Sequence, residues 1–413
     1  MCAPMAFSQI CPMLSMFSCL SLKIGSAWSF PVLLSVFLIL FVTTILHVPR
    51  TSTGLRVIHG IFLCLLTYSL QQAFFQLCEN YHWRAAAAPL LWIQCLSASE
   101  LILVTNTDFS DIRALGRGSL VIRSIALLWN LRRVGTKWRV ACSGVDAGAK
   151  DPPKGRFPFI LKRLLTTFLA YIVIDAMVSA PTLDSSLVGP RKQTLMHPFD
   201  LSLEDIIFRV IGTAAFWAST YLVNLVMSNT VAIFCVATGI SSTQNCPPLY
   251  GPLSEAYSIR HFWGVTWHQC LRRGLTGHAE LITRLTPIFS ESKMVSRYMR
   301  LSVAFLISGL IHHSSDLAMG IPRAEAGSLR FFLLQPLGIM LEDGVQMLTG
   351  SILSTSHLGR VRTRQIIGYA WVMVFLVWTT PTWFYPQQRT GLDPTDLLPF
   401  HLIQPVLVHI RNH

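Results

Sequence analysis

Acidic side chains are scarce in this 413-residue chain: 20 Asp and Glu stand against 33 Lys and Arg, a formal charge of +13. Charge of either sign is thin, at 13% of residues against 52% hydrophobic, and the mean hydropathy is +0.50. Soluble domains carry about 25% charged residues, so an ordinary water-solvated globule is excluded. The basic residues sit between apolar runs rather than along one amphipathic face, which fits positive-inside topology better than nucleic-acid binding. None of the ten cysteines forms a Cys-x-x-Cys pair, and Cys64, Cys78, Cys95 and Cys235 lie inside apolar runs, so neither a zinc site nor a disulfide framework is indicated. There is no Asn-x-Ser/Thr acceptor to mark a lumenal loop. Lys23 follows the first apolar stretch instead of preceding it, the wrong order for a cleaved signal peptide. Residues 1–27 are therefore expected to be an interfacial or poorly ordered lead-in, and residues 28–413 a single membrane-embedded domain.

The apolar runs define an all-α, multi-pass membrane protein. Eight spans are expected, in a range of seven to nine: Trp28–Val48, Val57–Leu77, Ala86–Val104, Phe159–Pro181, Phe208–Ile240, Leu301–Gly320, Phe331–Thr349 and Ile366–Phe384. The fifth is long enough for one tilted helix or for two pieces. Segment 105–158 holds ten Lys and Arg against four acids. Together with 241–300 and the loop carrying Arg360, Arg362 and Arg364, it is expected on the cytosolic side, with both termini lumenal.

The sixth span is the unusual one, because it carries His312, His313 and Asp316 at membrane depth. An ionisable side chain there costs roughly 2.5–3.5 kcal/mol on insertion scales, which makes function the default explanation. Helical spacing puts Ser308, His312 and Asp316 on one face and turns His313 about 100° away. A neutral imidazole suits removal of a proton from a hydroxyl during group transfer. The same residues also fit a histidine that only bonds a neighbouring helix or lines a polar cavity. Adjacent histidines diverge on a helix, so no metal is expected. Asp175, Glu342 and Asp343 also fall in spans and must face protein or water, whether around His312 or in bonds between helices.

A second constellation, Ser258 to Arg273, is basic and aromatic. Arg260, Trp263 and Trp267 share a helical face, with His268 beside them, as in a short helix at the membrane interface. It is either such an anchor or a receiver for a phosphorylated, adenine-bearing cofactor, with arginine on phosphate and tryptophan on the base.

Taken together, Arg-x-Phe-Trp-Gly-x-x-Trp-His-Gln (Arg260 to Gln269) and Phe-x-x-Ser-Gly-x-x-His (Phe305 to His312) resemble the wax synthase-like branch of the membrane-bound O-acyltransferases, and within it the fungal acetyltransferases of terpenoids and meroterpenoids. The tract Asn130 to Trp138 is similar to that group's Asn-x-Arg-Gly-Ile-Gly-Thr-x-Trp, with Arg133 in place of the first glycine. The resemblance implies an acyl-CoA-dependent O-acyltransferase that binds no permanent cofactor and uses acetyl-CoA as co-substrate with a hydrophobic alcohol, in the endoplasmic reticulum membrane. It places the catalytic histidine at His312, with His268 a second catalytic candidate where plant wax synthases have asparagine. Arg260, Trp263 and Trp267 are the candidates for binding the CoA side. Two rivals stay open: a wax ester synthase joining long-chain acyl-CoA to a fatty alcohol, and a proton-coupled transporter relaying through His312, Asp316, Asp175 and Glu342. The transporter predicts internal repeats, and the two halves show no convincing similarity.

Overall fold

The computed structural model describes residues 26–116, 118–140, 155–180, 184–196, 198–286, 292–350 and 357–404. Most of the lead-in, and nearly all of the Gly/Pro-rich tail of segment 105–158, lie outside them. The described residues form helices and connecting turns without strands. The long helices are α1 (Ser26–His47), α2 (Thr53–Leu77), α3 (Tyr81–Ser99, prolonged by a π turn Glu100–Val104), and, after the short α4 (Phe109–Ala114) and α5 (Leu120–Trp129), α6 (Arg156–Val178) and α7 (Leu203–Ala237). There follow α8 (Ile259–His261, running into a π turn Phe262–Thr266), α9 (Arg272–Leu285), α10 (Lys293–Ala318), α11 (Ser328–Gly350), α12 (His357–Thr379) and α13 (Pro381–Gln388).

The burial pattern is inverted relative to a soluble protein. Glu100, Arg133, Asp175, Asn229, Asp316 and Gln335 are buried, while Ile61, Phe62, Val210, Ile211, Leu306 and Leu310 are exposed. Apolar surface on this scale is stable when lipid covers it. Six helices are long and apolar enough to cross a membrane, and the pair Thr363–Thr379 with Pro381–Gln388, bent by 42°, makes a seventh if it is one span. Seven lies within the expected range of seven to nine, and the count of eight itself is not confirmed among the described residues. The remaining candidate, α11, is helical across its whole length, but Arg330, Glu342 and Asp343 lower its apolarity. Its outward stripe, Leu333, Leu337, Leu341 and Val345, is nonetheless apolar at four-residue spacing.

The fifth apolar region is one unbroken 35-residue helix, α7. At 1.5 Å per residue it spans about 50 Å, well over the roughly 30 Å hydrocarbon core. Its start is fixed by a capping box between Ser202 and Asp205. With α6 and α7 as a single down-and-back pair, segments 105–158 and 241–300 fall on one side. Their described parts touch, Arg132 donating to the Pro248 carbonyl at 2.8 Å, and Arg163, in the second turn of α6, donates to the Cys246 carbonyl at 3.0 Å.

Packing divides into two cores. One joins α1, α2, α3 and α5 through residues such as Phe41, Leu63, Leu101 and Leu128. The other is mainly aromatic and gathers Phe216, Phe262, Trp267, Phe305, Phe331, Phe332, Trp383 and Tyr385 from α7, α8 with its following turn, α10, α11 and α13.

Candidate active site

His312 lies on α10 at the edge of this aromatic core. Its imidazole stacks on Phe332 of α11, with ring centroids 4.6 Å apart and planes 7° apart. Trp383 of α13 meets it edge to face at 5.1 Å and 66°. The ring is thus held in a slot between two aromatic walls, one face against Phe332. It is not completely enclosed, since His312 keeps an intermediate exposure.

The helical face expected to carry orienting partners works differently. Asp316 is 1% exposed, and its carboxylate is recorded with partners other than His312. It accepts from the Ser328 backbone N–H at 3.0 Å, from Trp383 Nε1 at 3.0 Å and from Gln387 Nε2 at 3.4 Å. Asp175 is remote in function: it accepts from the backbone N–H groups of Leu402 and Ile403 at 2.5 and 2.7 Å and pairs with His401 at 2.7 Å.

The stretch Ser258 to Arg273 departs from the expected interfacial helix. Ser258 caps α8, accepting from His261 N–H at 3.0 Å, and the Glu342 carboxylate receives the N–H groups of Ile259 and Arg260 at 2.5 and 3.3 Å. A carboxylate at a helix N-terminus satisfies donors that have no intrahelical partner. Trp371 Nε1 fills the same carboxylate at 2.9 Å. The chain then makes a π turn and goes extended at Trp267, whose φ is −69° and ψ 158°. Gln269 makes that break stable: its amide donates to the carbonyls of Trp263 and Trp267 at 2.9 and 2.6 Å. Gly251 lets the neighbouring strand of chain lie against the turn, since a Cβ there would overlap the Val265 carbonyl.

This break turns the motif inward. Trp267 is 9% exposed, with Phe262 stacked on it at 5.6 Å and Trp217 edge-on at 4.9 Å. It leaves no open face for an adenine ring. Trp263 spends its indole N–H on Gln335 at 3.0 Å and packs on Phe332 at 5.7 Å, the same ring that stacks on His312. Arg260 points elsewhere, to Asp343 at 2.5 Å, a carboxylate shared with Arg297 at 3.1 Å and the Tyr298 hydroxyl at 2.8 Å. Arg260 and the two tryptophans therefore do not share one surface.

His268 packs beside Trp267 at 5.6 Å and Tyr250 at 6.2 Å. A continuous chain of ring contacts thus joins the two sequence-distant histidines, from His268 through Trp267, Trp263 and Phe332 to His312. Phe332, Trp383, Trp217 and Gln335 were missed in sequence; each is an aromatic or amide inside an apolar run, with no local signal to separate it from ordinary core. Among the described residues no group of three or more His, Cys, Asp or Glu is placed to hold a metal ion.

Burial pushes the His268 imidazole down to about 4, which keeps it neutral near pH 7. His278, half-buried and bonded to Ser99 at 2.9 Å, is lowered for the same reason. An unfolded histidine titrates near 6.5, so below that pH the unfolded chain binds protons that the folded one refuses. Stability is therefore lost as pH falls from about 6.5 toward 4. The melting temperature of the detergent-solubilised protein is expected to fall between pH 7 and pH 5. His268→Gln should flatten part of that fall, and an unchanged slope would contradict the buried neutral state.

Comparison with known proteins converges on the same segment. The model of the membrane bound O-acyl transferase family matches residues 246–334, which contain Arg260, Trp263, Trp267, His268 and His312. The chain is 33% identical over 194 residues to the acetyltransferase fsoF of Humicola fuscoatra, covering 46% of each chain. It is 26% identical over 409 residues to the acetyltransferase pyr8 of Aspergillus fumigatus, covering 94% of each. To the acetyltransferase TRI7 of Fusarium sporotrichioides it is 26% identical over 388 residues, with 87% of each covered. No solved structure matches the chain. The helical architecture, the matched segment that holds both histidines and the acetyltransferase relatives along nearly the whole chain agree: this is a multi-pass membrane acyltransferase whose residues 246–334 match the membrane bound O-acyl transferase family.

Proposed function

We propose that the chain moves an acetyl group from acetyl-CoA to a hydroxyl of a polycyclic terpenoid or meroterpenoid, in the endoplasmic reticulum membrane. The match to the acyltransferase family and the acetyltransferase relatives support an acyl-CoA donor and a hydrophobic acceptor in general terms. The observation that supports the finer reading is that His312 and His268, both inside the matched segment, are joined by one continuous set of aromatic rings.

In this mechanism neutral His312 takes the proton of the acceptor hydroxyl as its oxygen attacks the thioester carbonyl. The tetrahedral intermediate collapses with cleavage of the C–S bond, and the CoA thiolate leaves with the proton returned by the imidazolium. No acyl-enzyme is needed. His268, held neutral, donates one N–H to the thioester oxygen or the acceptor. Trp263 and Trp267 line the acyl end of the donor rather than stack on its base, and Arg260, beside Arg297 on Asp343, faces the phosphates from the cytosolic side. The acceptor reaches the slot through the lipid.

Microsomes from a heterologous host test this when offered acetyl-CoA or palmitoyl-CoA, each with a long-chain alcohol or a panel of terpenoid alcohols, and the products are read by mass. Acetylated terpenoid is the expected product. Palmitoyl esters of the fatty alcohol without acetylated terpenoid would replace the proposal with wax ester synthesis.

A further inference from the structure

We infer that Asp316 is the positioning residue of the site, acting on His312 through both aromatic walls of its slot rather than by contact; this rests on His312 as the base proposed above. The carboxylate sits one turn beyond His312 on α10, is 1% exposed, and anchors two elements that approach from elsewhere. Its bond from the Ser328 N–H, 3.0 Å, pins the first residue of α11, where unpaired backbone donors and the helix dipole favour a negative charge. Phe332 lies four residues further on, one turn along the same helix, and stacks flat on His312. The bond from Trp383 Nε1, 3.0 Å, pins the other wall.

The two anchored elements also lock to each other. Gly327, just before α11, passes so close to α13 that a Cβ would overlap the Thr382 carbonyl. Gly309, on α10 one turn before His312, lies against Leu329 and Phe332, where a Cβ would come within 3.0 and 3.1 Å of their side chains. Neither wall can shift far while the carboxylate holds its donors. Without it, α11 loses its N-terminal acceptor, Trp383 keeps a buried N–H with no partner, and the imidazole gains room to turn. A displacement of about 1 Å at a reacting group can cost on the order of 10²-fold in rate.

Carbethoxylation by diethyl pyrocarbonate, followed residue by residue by mass spectrometry on the full-length solubilised protein, reads His312 freedom without any substrate. Asp316→Ala is expected to raise the His312 modification rate about tenfold, leaving His278 and His401 at parental rates. Asp316→Asn, which keeps an acceptor for Trp383, should fall between the two. Trp383→Phe, which keeps the ring and removes its anchor, should reproduce part of the effect, and the Asp316→Ala/Trp383→Phe double variant should add nothing to Asp316→Ala. An unchanged His312 rate, or rates rising together at His278 and His401, would overturn the inference. The labelling stands apart from catalysis: if His312→Ala kept full transferase activity, the proposed base would fail whatever the labelling showed.

Discussion

Replacing His312 by alanine is expected to reduce acyl transfer by about 10²–10⁴-fold, the range general-base catalysis contributes, while the protein still inserts and accumulates. The two halves of that expectation have separate grounds. The imidazole is the one titratable ring held between Phe332 and Trp383, so its removal takes away the proton acceptor. The walls are held by Asp316 through Ser328 and Trp383, not by the histidine, and alanine is the better helix former. His313→Ala is the matched control, because that ring points about 100° round the helix. Product mass and protein level in the same microsomes decide the matter. A dead His313 variant beside an active His312 variant would reassign the base.

Much of the fold was legible because its signal is local. The first six spans are marked by unbroken apolar runs, and the structure places their helices within a few residues of expectation, apart from α3, α7 and α10, which begin five, five and eight residues earlier. The exact count is not confirmed where polarity or geometry interrupts the run. Glu342 and Asp343 make α11 look too polar, yet both face protein partners, Glu342 capping α8 and Asp343 holding Arg260, Arg297 and Tyr298. The last apolar run bends by 42° between Thr379 and Pro381, where a proline opens α13 and fits a helix start but not a helix interior.

At the site, residue types were legible and their directions were not. His312 announces itself by being ionisable at membrane depth. Trp263 and Trp267 sit at a helical spacing that suggests a surface stripe, but what turns them inward is Gln335 and Gln269, an acceptor some seventy residues away and an amide that stabilises a π turn. Asp316 shares a helical face with His312, and periodicity alone assigns it as a direct partner. Its actual donors come from positions 328, 383 and 387, contacts that only the tertiary arrangement reveals.

Glu100→Ala is expected to be the most damaging substitution away from the chemistry, and Arg133 explains why. Arg133 adopts φ +54°, a left-handed conformation that costs a non-glycine residue roughly 1–2 kcal/mol, at the position where the similar fungal tract carries glycine. Its guanidinium, 1% exposed as a residue, offsets that cost by bonding Glu100 at 2.7 Å, Ser97 Oγ at 3.1 Å and the Leu127 carbonyl at 2.5 Å. Glu100, fully buried, also holds Arg273 at 2.9 Å and accepts from Thr105, joining α3 to the Asn130–Trp138 tract and to α9. Removing the carboxylate leaves a buried, unpaired arginine, a loss of about 3–5 kcal/mol against a total stability of about 5–15 kcal/mol, so the variant should scarcely accumulate. Arg133→Gly relieves the backbone and leaves Glu100 two partners, so it should cost only about 1–3 kcal/mol. The double variant should be more stable than Glu100→Ala alone, because the stranded cation is gone and Arg273, about one-third exposed, can turn to water. Melting temperatures of the three solubilised variants measure that coupling, and strictly additive losses would mean that the two charges do not stabilise one another.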